Sequence, residues 1–549
     1  MTVTAPSSSL HLAILVSAEG VERWQLNFAL SLPLALQADV TLIVGADARR
    51  CIPRRPAAGR RPGPRVAAPL ALTRRVHVDR LVEALTLASG PVRVVRAGTD
   101  RAGYPPGEAP DLILRLRGAS ARPAAATWPQ VPLWGLRVGE GGDHLPCAYL
   151  EVLRGARTIR VTLVEAKLGV FTELLVGVIG VMRHSYRGSL GRVAALTSGW
   201  PALAHTRHLL GARPQGATTT EIPAQPPSAV PARVPLLRLA PRTLPRAVAY
   251  MARSLLVRDR WTVGLVEAPI ARFLESPPPH EVAWIPEIKG RFLADGFGVA
   301  RGGEVVALME DLDLRAQRGR ISACHWTGAL WTKPVKAIEL PCHMAYPYLL
   351  TVGEDLYCIP DTGNDRCIRL FRANGSPFRW TLDSVLIEDV AAVDPTVIRV
   401  GRRWWLFCSP SREWSSSQLH AWFADELRGP WTPHPLNPIT TDITSSRPAG
   451  TPFWHGGHLY RPAQDCSTRY GAAVSLQRVV TLSPSDFVEE TAARVSAFPG
   501  RYHFGIHTLA AAGEVTIVDG VRDELDARGA LRRAVRRVAG APASTVARP

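Results

Sequence analysis

Leu293-Ala294-Asp295-Gly296-Phe297-Gly298-Val299-Ala300-Arg301-Gly302-Gly303-Glu304-Val305-Val306-Ala307-Leu308 decides the fold, because the chain writes this phrase five times. A polar residue followed by a small or proline residue opens an apolar run, a glycine turn follows, and a second strand returns. Further copies open at Tyr346-Pro347-Tyr348, Asp394-Pro395-Thr396, Arg447-Pro448-Ala449 and Gly505-Ile506-His507. Their turns fall at Val352-Gly353-Glu354-Asp355, Val400-Gly401-Arg402, His455-Gly456-Gly457 and Ala512-Gly513-Glu514. Taking Asp295, Tyr346, Asp394, Arg447 and His507 as equivalent, the steps are 51, 48, 53 and 60 residues. Roughly 40 to 50 residues is the length of one four-stranded propeller blade. A blade cannot bury both faces alone, so the copies stack around an axis, and five starts predict five blades.

At 549 residues the chain exceeds one ordinary core. With 46% hydrophobic and 20% charged residues it reads as globular. Met1 to Leu10 lacks the basic start of a secretory leader, and no apolar run reaches the roughly 18 residues of a membrane span. A soluble, cytoplasmic protein is the expectation. The eight cysteines are scattered, with no Cys-x-x-Cys pair and no histidine partners at zinc spacing. Free thiols, no metal and no cofactor follow, with Cys358 and Cys367 the one pair placed to meet across a hairpin. The net charge of +18 comes from 65 basic against 47 acidic residues. Those basic residues are not interleaved with aromatics as in single-strand binders, so no nucleic-acid partner is expected. Anionic lipid head groups at a membrane periphery, or an anionic glycan, fit the charge better. Arg522 to Arg537 reads as a basic terminal helix.

Residues 10 to 118 alternate strand and helix patterns, which makes residues 1–210 an expected α/β domain with a parallel sheet. Strands are expected at His11 to Ser17, Asp39 to Val44, Val92 to Ala97 and Asp111 to Leu116, with helices at Val21 to Leu36 and Val78 to Ser89. Ser17-Ala18-Glu19-Gly20 after the first strand has no glycine-rich phosphate fingerprint. A helical stretch from Ser189 to Leu210 follows. Residues 211–257 form a proline-rich linker ending in a short helix, Ala247 to Leu256. The propeller occupies 258–520 and the basic tail 521–549.

Leu293-Ala294-Asp295-Gly296-Phe297, Tyr346-Pro347, Tyr357-Cys358-Ile359-Pro360-Asp361, Ser446-Arg447-Pro448-Ala449-Gly450 and Arg461-Pro462-Ala463-Gln464-Asp465-Cys466 resemble the N-terminal domain of glucosamine inositolphosphorylceramide transferases and their bacterial relatives. Gly429-Pro430-Trp431 with His434-Pro435 is similar to the blade edge of five-bladed glycosidases of the arabinanase and xylosidase type. Leu153-Arg154-Gly155-Ala156-Arg157-Thr158-Ile159-Arg160-Val161-Thr162-Leu163 resembles a methionyl-tRNA formyltransferase-type, Rossmann-like domain. Gly135-Leu136-Arg137 and Lys167-Leu168-Gly169 stand where that family needs its Asn, His and Asp. The first half therefore reads as a degenerate scaffold, and formyl or acyl transfer is the least favoured function.

The first residues of a propeller's inner strands converge on one funnel, here Asp295, Tyr346, Asp394, Arg447 and His507. Glycoside chemistry needs one carboxylate as base or nucleophile and one protonated acid for the leaving oxygen. The glycosidase resemblance implies Asp295 as base, with Gly296 where that family has proline. Asp394 would orient Arg447 or tune a neighbour, and the acid is Glu310 or Asp361. Tyr346, His343, Arg447, Gln464 and His507 complete the expected substrate contacts. In Glu310-Asp311-Leu312-Asp313 at least two acids are expected to be solvated. Trp404, Trp405 and Trp431 read as blade core. Two function classes follow: a carbohydrate-active enzyme of polysaccharide or glycolipid assembly, or a glycan-binding module serving a partner glycosyltransferase.

Overall fold

The computed structural model describes residues 10–17, 21–36, 38–44, 75–89, 92–96, 109–116, 122–140, 147–216, 218–219, 236–275, 281–301, 303–411, 414–526 and 529. The chain divides into two compact units between Ala247 and Val248.

In the first unit, strands His11–Val16, Asp39–Val44, Arg93–Arg96, Leu112–Arg115 and Leu133–Val138 pair in parallel, in the order third, second, first, fourth, fifth. Near-continuous apolar runs such as Leu12-Ala13-Ile14-Leu15 suit strands buried on both faces. Thr158–Lys167 and Val170–Gly180 then add an antiparallel hairpin to the same sheet. Lys167-Leu168-Gly169 lies at the turn of that hairpin, with Leu168 and Gly169 at φ 51° and 77°. The expected single helix from Ser189 to Leu210 is two, Tyr186–Thr197 and Trp200–Leu209. The second of these opens with proline at its start.

The linker is also shorter than the prolines suggest, because the helix before the propeller begins at Ala240 and runs to Leu256. Proline's fixed φ is helical, so Pro241 fits the first turn and Pro245 removes one hydrogen bond without ending the helix.

The second unit is a five-bladed propeller. Blades 1 to 4 begin with inner strands Arg291–Arg301, Ala345–Val352, Ala392–Val400 and Phe453–His455, each followed outward by strands in chain order. Blade 5 joins the two ends of the propeller segment: inner strand Leu509–Ala512 pairs with Val515–Leu525, which pairs with Val257–Val266. That last ladder runs unbroken from Val257 opposite Leu525 to Val266 opposite Thr516, so the ring has no open seam between first and last strand. Arg522 therefore belongs to a propeller strand and not to a tail helix. It pairs with Glu287, and the rest of the expected basic helix lies outside the described residues apart from 523–526 and 529.

Inter-blade packing is aromatic and dense. Phe297 meets Tyr346 edge-on at 4.7 Å, and Trp404 and Trp405 are buried. Each such side chain contributes about 1.5 to 3 kcal/mol of burial. All seven described cysteines are free, Cys358 and Cys367 included. Among the described residues no helix is long and apolar enough to cross a membrane.

Candidate functional site

The repeated polar position has one backbone cause in the first three blades. Asp295, Tyr346 and Asp394 all have left-handed φ, at 53°, 44° and 55°. At each, the ladder with the next strand slips, between Ala294 and Phe297, Ala345 and Tyr348, and Val393 and Thr396. A bulge of this kind inserts one extra residue and re-aims a side chain. Three non-glycine residues in this region cost on the order of 1 to 3 kcal/mol each, a pattern that clusters at functional sites. Gly296 is glycine because a Cβ there would lie 2.5 Å from Val263 and 2.6 Å from Ile517.

Asp295 sits in a closed network. Its Oδ2 accepts from the Tyr346 N–H at 3.3 Å and its Oδ1 from the Thr508 hydroxyl at 3.2 Å. His507 Nε2 lies 3.3 Å from Asp295 Oδ1, while His507 Nδ1 lies 2.5 Å from Asp519 Oδ2. Asp519 also accepts the backbone N–H groups of His507 and Thr508. Burial disfavours the His507 cation, but Asp519 and Asp295 outweigh it and raise its pKa. Trp261 stacks on the ring at 4.0 Å. Asp295, His507 and Asp519 are also the residues that could hold a cation, with ligand atoms within 4.8 Å of one another. A protonated His507 uses the same atoms for ion pairing.

Asp394 is fixed by Arg447, which donates from Nε to Oδ2 and from Nη2 to Oδ1, and by Gln464 Nε2 at 3.2 Å. Arg447 Nη1 is buried with no hydrogen-bond partner, and its guanidinium lies 5.0 Å over the half-buried Tyr470 ring. The Tyr346 hydroxyl is engaged by the Gly450 N–H at 2.8 Å and Thr396 at 2.9 Å, so it ties blade 2 to the segment entering blade 4.

Three carboxyls are pushed up. Burial raises Asp295 to about 6, with His507 opposing and Asp394 and Asp519 adding to the rise. Burial and the Asp394 charge raise Asp361 to about 7, against a hydrogen bond from the Gly363 N–H. Glu310 lies well above the ordinary carboxylate range, by burial and then by the charges of Asp295, Asp361, Asp311 and Asp394. His343 Nε2 lies 3.5 Å from Glu310 Oε1 and its Nδ1 accepts the Gly319 N–H at 2.9 Å. Burial lowers His343 to about 4, so the ring is neutral with its proton on Nε2, facing Glu310. A Cβ on Gly319 would stand 2.8 Å from Glu310 Oε1, so this approach requires glycine.

The acids that were expected to be solvated are not. Glu310 and Asp311 are both buried, because successive strand residues face opposite sides of the blade. On its own side Asp311 Oδ2 accepts from the Ser322 hydroxyl and pairs with Arg291, while its buried Oδ1 has no hydrogen-bond partner. Only Asp313 turns out, capping the N–H groups of Arg315 and Ala316.

All nine expected site residues thus lie in one propeller, and eight of them are linked by contacts or by mutual charge effects around Asp295 and Asp394. Sequence reading missed Asp519, Tyr470 and Trp261. An acid inside the apolar run Val515-Thr516-Ile517-Val518-Asp519 was the available signal for the first. Tyr470 and Trp261 reach the site through a loop and through the closing strand, which leave no local pattern. A separate cavity of about 580 Å³ opens at the other end of the inner strands, lined by Gly298, Leu350, Gly353, Arg399, Thr451 and Gly513 among others. Its lining holds none of the expected site residues.

The raised groups set a pH dependence of stability. Asp295, Asp361, Glu310 and His507 each have a folded pKa above the unfolded value, so the native state holds more protons. Their contribution is fully present below the unfolded values, near 4 for the carboxyls and 6.5 for histidine, and is lost as pH rises through the folded ones. Glu287, held at about 2 by Arg522, has the opposite sign but is already ionised above pH 5. His343 and His420, lowered to about 4 by burial, oppose the trend below pH 6.5, but they are two groups against four. The propeller's thermal midpoint should therefore be higher at pH 5 than at pH 8, measured by scanning calorimetry.

Residues 285–505 match the family described as glucosamine inositolphosphorylceramide transferase 1, N-terminal. The chain is 31% identical over 248 residues to glucosamine inositolphosphorylceramide transferase 1 of rice, Oryza sativa subsp. japonica, covering 42% of this chain and 33% of the relative. The protein of the same name in Arabidopsis thaliana is 26% identical over 252 residues, covering 43% and 33%. The chain thus spans about a third of the length of these curated relatives. Among solved structures, a family 117 glycoside hydrolase from Zobellia galactanivorans aligns with a TM-score of 0.32 at 17% identity, covering 43% of this chain and 86% of its own. An α-L-arabinofuranosidase from Podospora anserina aligns at 0.33 and 13%, covering 42% and 81%.

Proposed function

We propose that the propeller funnel binds a sugar unit of a glycan or glycolipid and turns it over by hydrolysis or transfer. The observation that carries this reading is the unequal treatment of neighbouring acids. Asp295 is raised to about 6, beside His507, and Glu310 is raised well above the ordinary carboxylate range beside a neutral histidine. Acid and base roles fall to titratable pairs whose surroundings drive their pKa values apart. Asp295 is the base or nucleophile, and protonated Glu310 gives its proton to the leaving oxygen. Asp361, raised to about 7, is the neighbouring acid that helps to keep Glu310 protonated. Asp394 is a positioning residue that holds Arg447, whose unpartnered Nη1 is free to receive a sugar oxygen or an acidic group. The plant relatives' name supports a sugar carried on an anionic lipid as the substrate class.

The profile of kcat/KM against pH tests this assignment. An acidic limb near pH 6 is expected as Asp295 ionises, with an alkaline limb set by Glu310. Loss of the alkaline limb in Glu310→Gln supports the acid role; an unchanged bell contradicts it. A second reading, sugar recognition without turnover beside a partner glycosyltransferase, is favoured by the likeness to only the N-terminal part of those relatives. It predicts saturable binding of the same sugars and a flat profile.

A further inference from the structure

The helix Ala240–Leu256 is built inside out. Leu244, Val248 and Met251 recur at helical spacing on one face, and all are exposed, at 66%, 56% and 53%. At 100° per residue Arg242, Arg246 and Arg253 fall on the opposite face. Two of these arginines are turned onto the protein. Arg246 Nη1 donates to the Val152 carbonyl at 2.7 Å, and Arg253 holds both oxygens of Asp523 at 2.6 and 3.0 Å. An ordinary surface helix does the reverse, burying its apolar stripe and exposing its charges. No residue of this helix is buried.

Charge decides what covers the stripe. Residues 236–256 carry Arg238, Arg242, Arg246 and Arg253 and no carboxylate, with Arg238 and Arg242 exposed. A second copy docking there would bring Arg238 and Arg242 against their own counterparts, and Asp523, the acid beside the helix, is already held by Arg253. An anionic bilayer supplies both an apolar layer for the stripe and negative head groups for the exposed arginines. A charged helix of low mean hydropathy with one strongly apolar face is the form that lies in a membrane interface.

We propose that Ala240–Leu256 lies in the surface of an anionic bilayer, with Leu244, Val248 and Met251 among the acyl chains and Arg238 and Arg242 at the head groups. This rests on the helix alone and stands whether or not the funnel turns over a sugar.

The test is co-sedimentation of the full chain with vesicles of phosphatidylcholine, with and without phosphatidylglycerol. The parent should bind the anionic vesicles and release as salt is raised. Val248→Asp with Met251→Asp should weaken binding by at least about tenfold, since two acyl contacts become buried charges. Both positions are exposed, so the circular dichroism spectrum and thermal midpoint should not change, which separates lost docking from lost folding. Equal binding by parent and variant, or no binding by either, overturns the proposal. So does a parent dimer in solution that the same variant splits, which would assign the stripe to a second copy.

Discussion

Asp295→Asn should lower turnover of any glycoside the protein processes by a factor of about 10² to 10⁴ while leaving the propeller folded. The separation of these effects follows from the backbone. Asp295 has φ 53°, and Asn is among the few residues that adopt the left-handed region readily, so the bulge survives. The amide oxygen still accepts from Tyr346 N–H or Thr508, and His507 keeps its Asp519 contact. What disappears is the negative charge to which the proposed function assigns attack on the sugar or deprotonation of water. Asp295→Ala is a poorer probe because alanine loses both charge and conformation. A rate loss with the thermal midpoint within about 4 °C of the parent marks a chemical role. Parent-like turnover in Asp295→Asn contradicts it.

Arg447→Met should cost about 3 to 5 kcal/mol of stability, because Asp394 would remain buried without its cation. Asp394 is 2% exposed and reaches Gln464 besides Arg447, so water cannot replace the lost partner cheaply. Arg447→Met with Asp394→Asn should recover much of the loss, since the second change removes the stranded charge. Denaturant unfolding of the two single variants and the double variant closes the cycle. Loss of less than about 1 kcal/mol in Arg447→Met would mean that the pair is not held as the geometry indicates.

Repeats were legible because a blade must restate its strand, turn, strand pattern, and the polar residue opening each copy stands out from an apolar run. The left-handed bulge behind that residue was not legible: Asp, Tyr and Asp at these positions give no glycine to mark positive φ. Asp519 was hidden for a different reason. Its partner His507 is only twelve residues away, but the contact with Asp295 arises when the ring closes and brings the last hairpin beside the first blade. Closure also explains why Arg522 reads as a tail residue in sequence and is a strand residue in space, since its ladder partner is Arg260. Glu310 and Asp311 show the limit of composition. Consecutive acids look solvated until strand alternation sends one to His343 and the other to Arg291 and Ser322. In the first unit the four strands expected between His11 and Leu116 fall within a residue or two of the sequence reading, while the resemblance to formyltransferases has no support beyond the mixed sheet.

The most direct test of the funnel chemistry compares two leaving groups in two variants. Dinitrophenyl glycosides need little protonation of the departing oxygen, whereas alkyl glycosides need a full proton, so an acid variant is rescued by the first and a base variant by neither. Release rates with Glu310→Gln and Asp295→Asn would be measured on both substrate types for a panel including glucosamine. The prediction is near-parental release from the dinitrophenyl substrate by Glu310→Gln, little from the alkyl one, and loss of both in Asp295→Asn. Parent-like rates for both variants on both substrates would contradict the account.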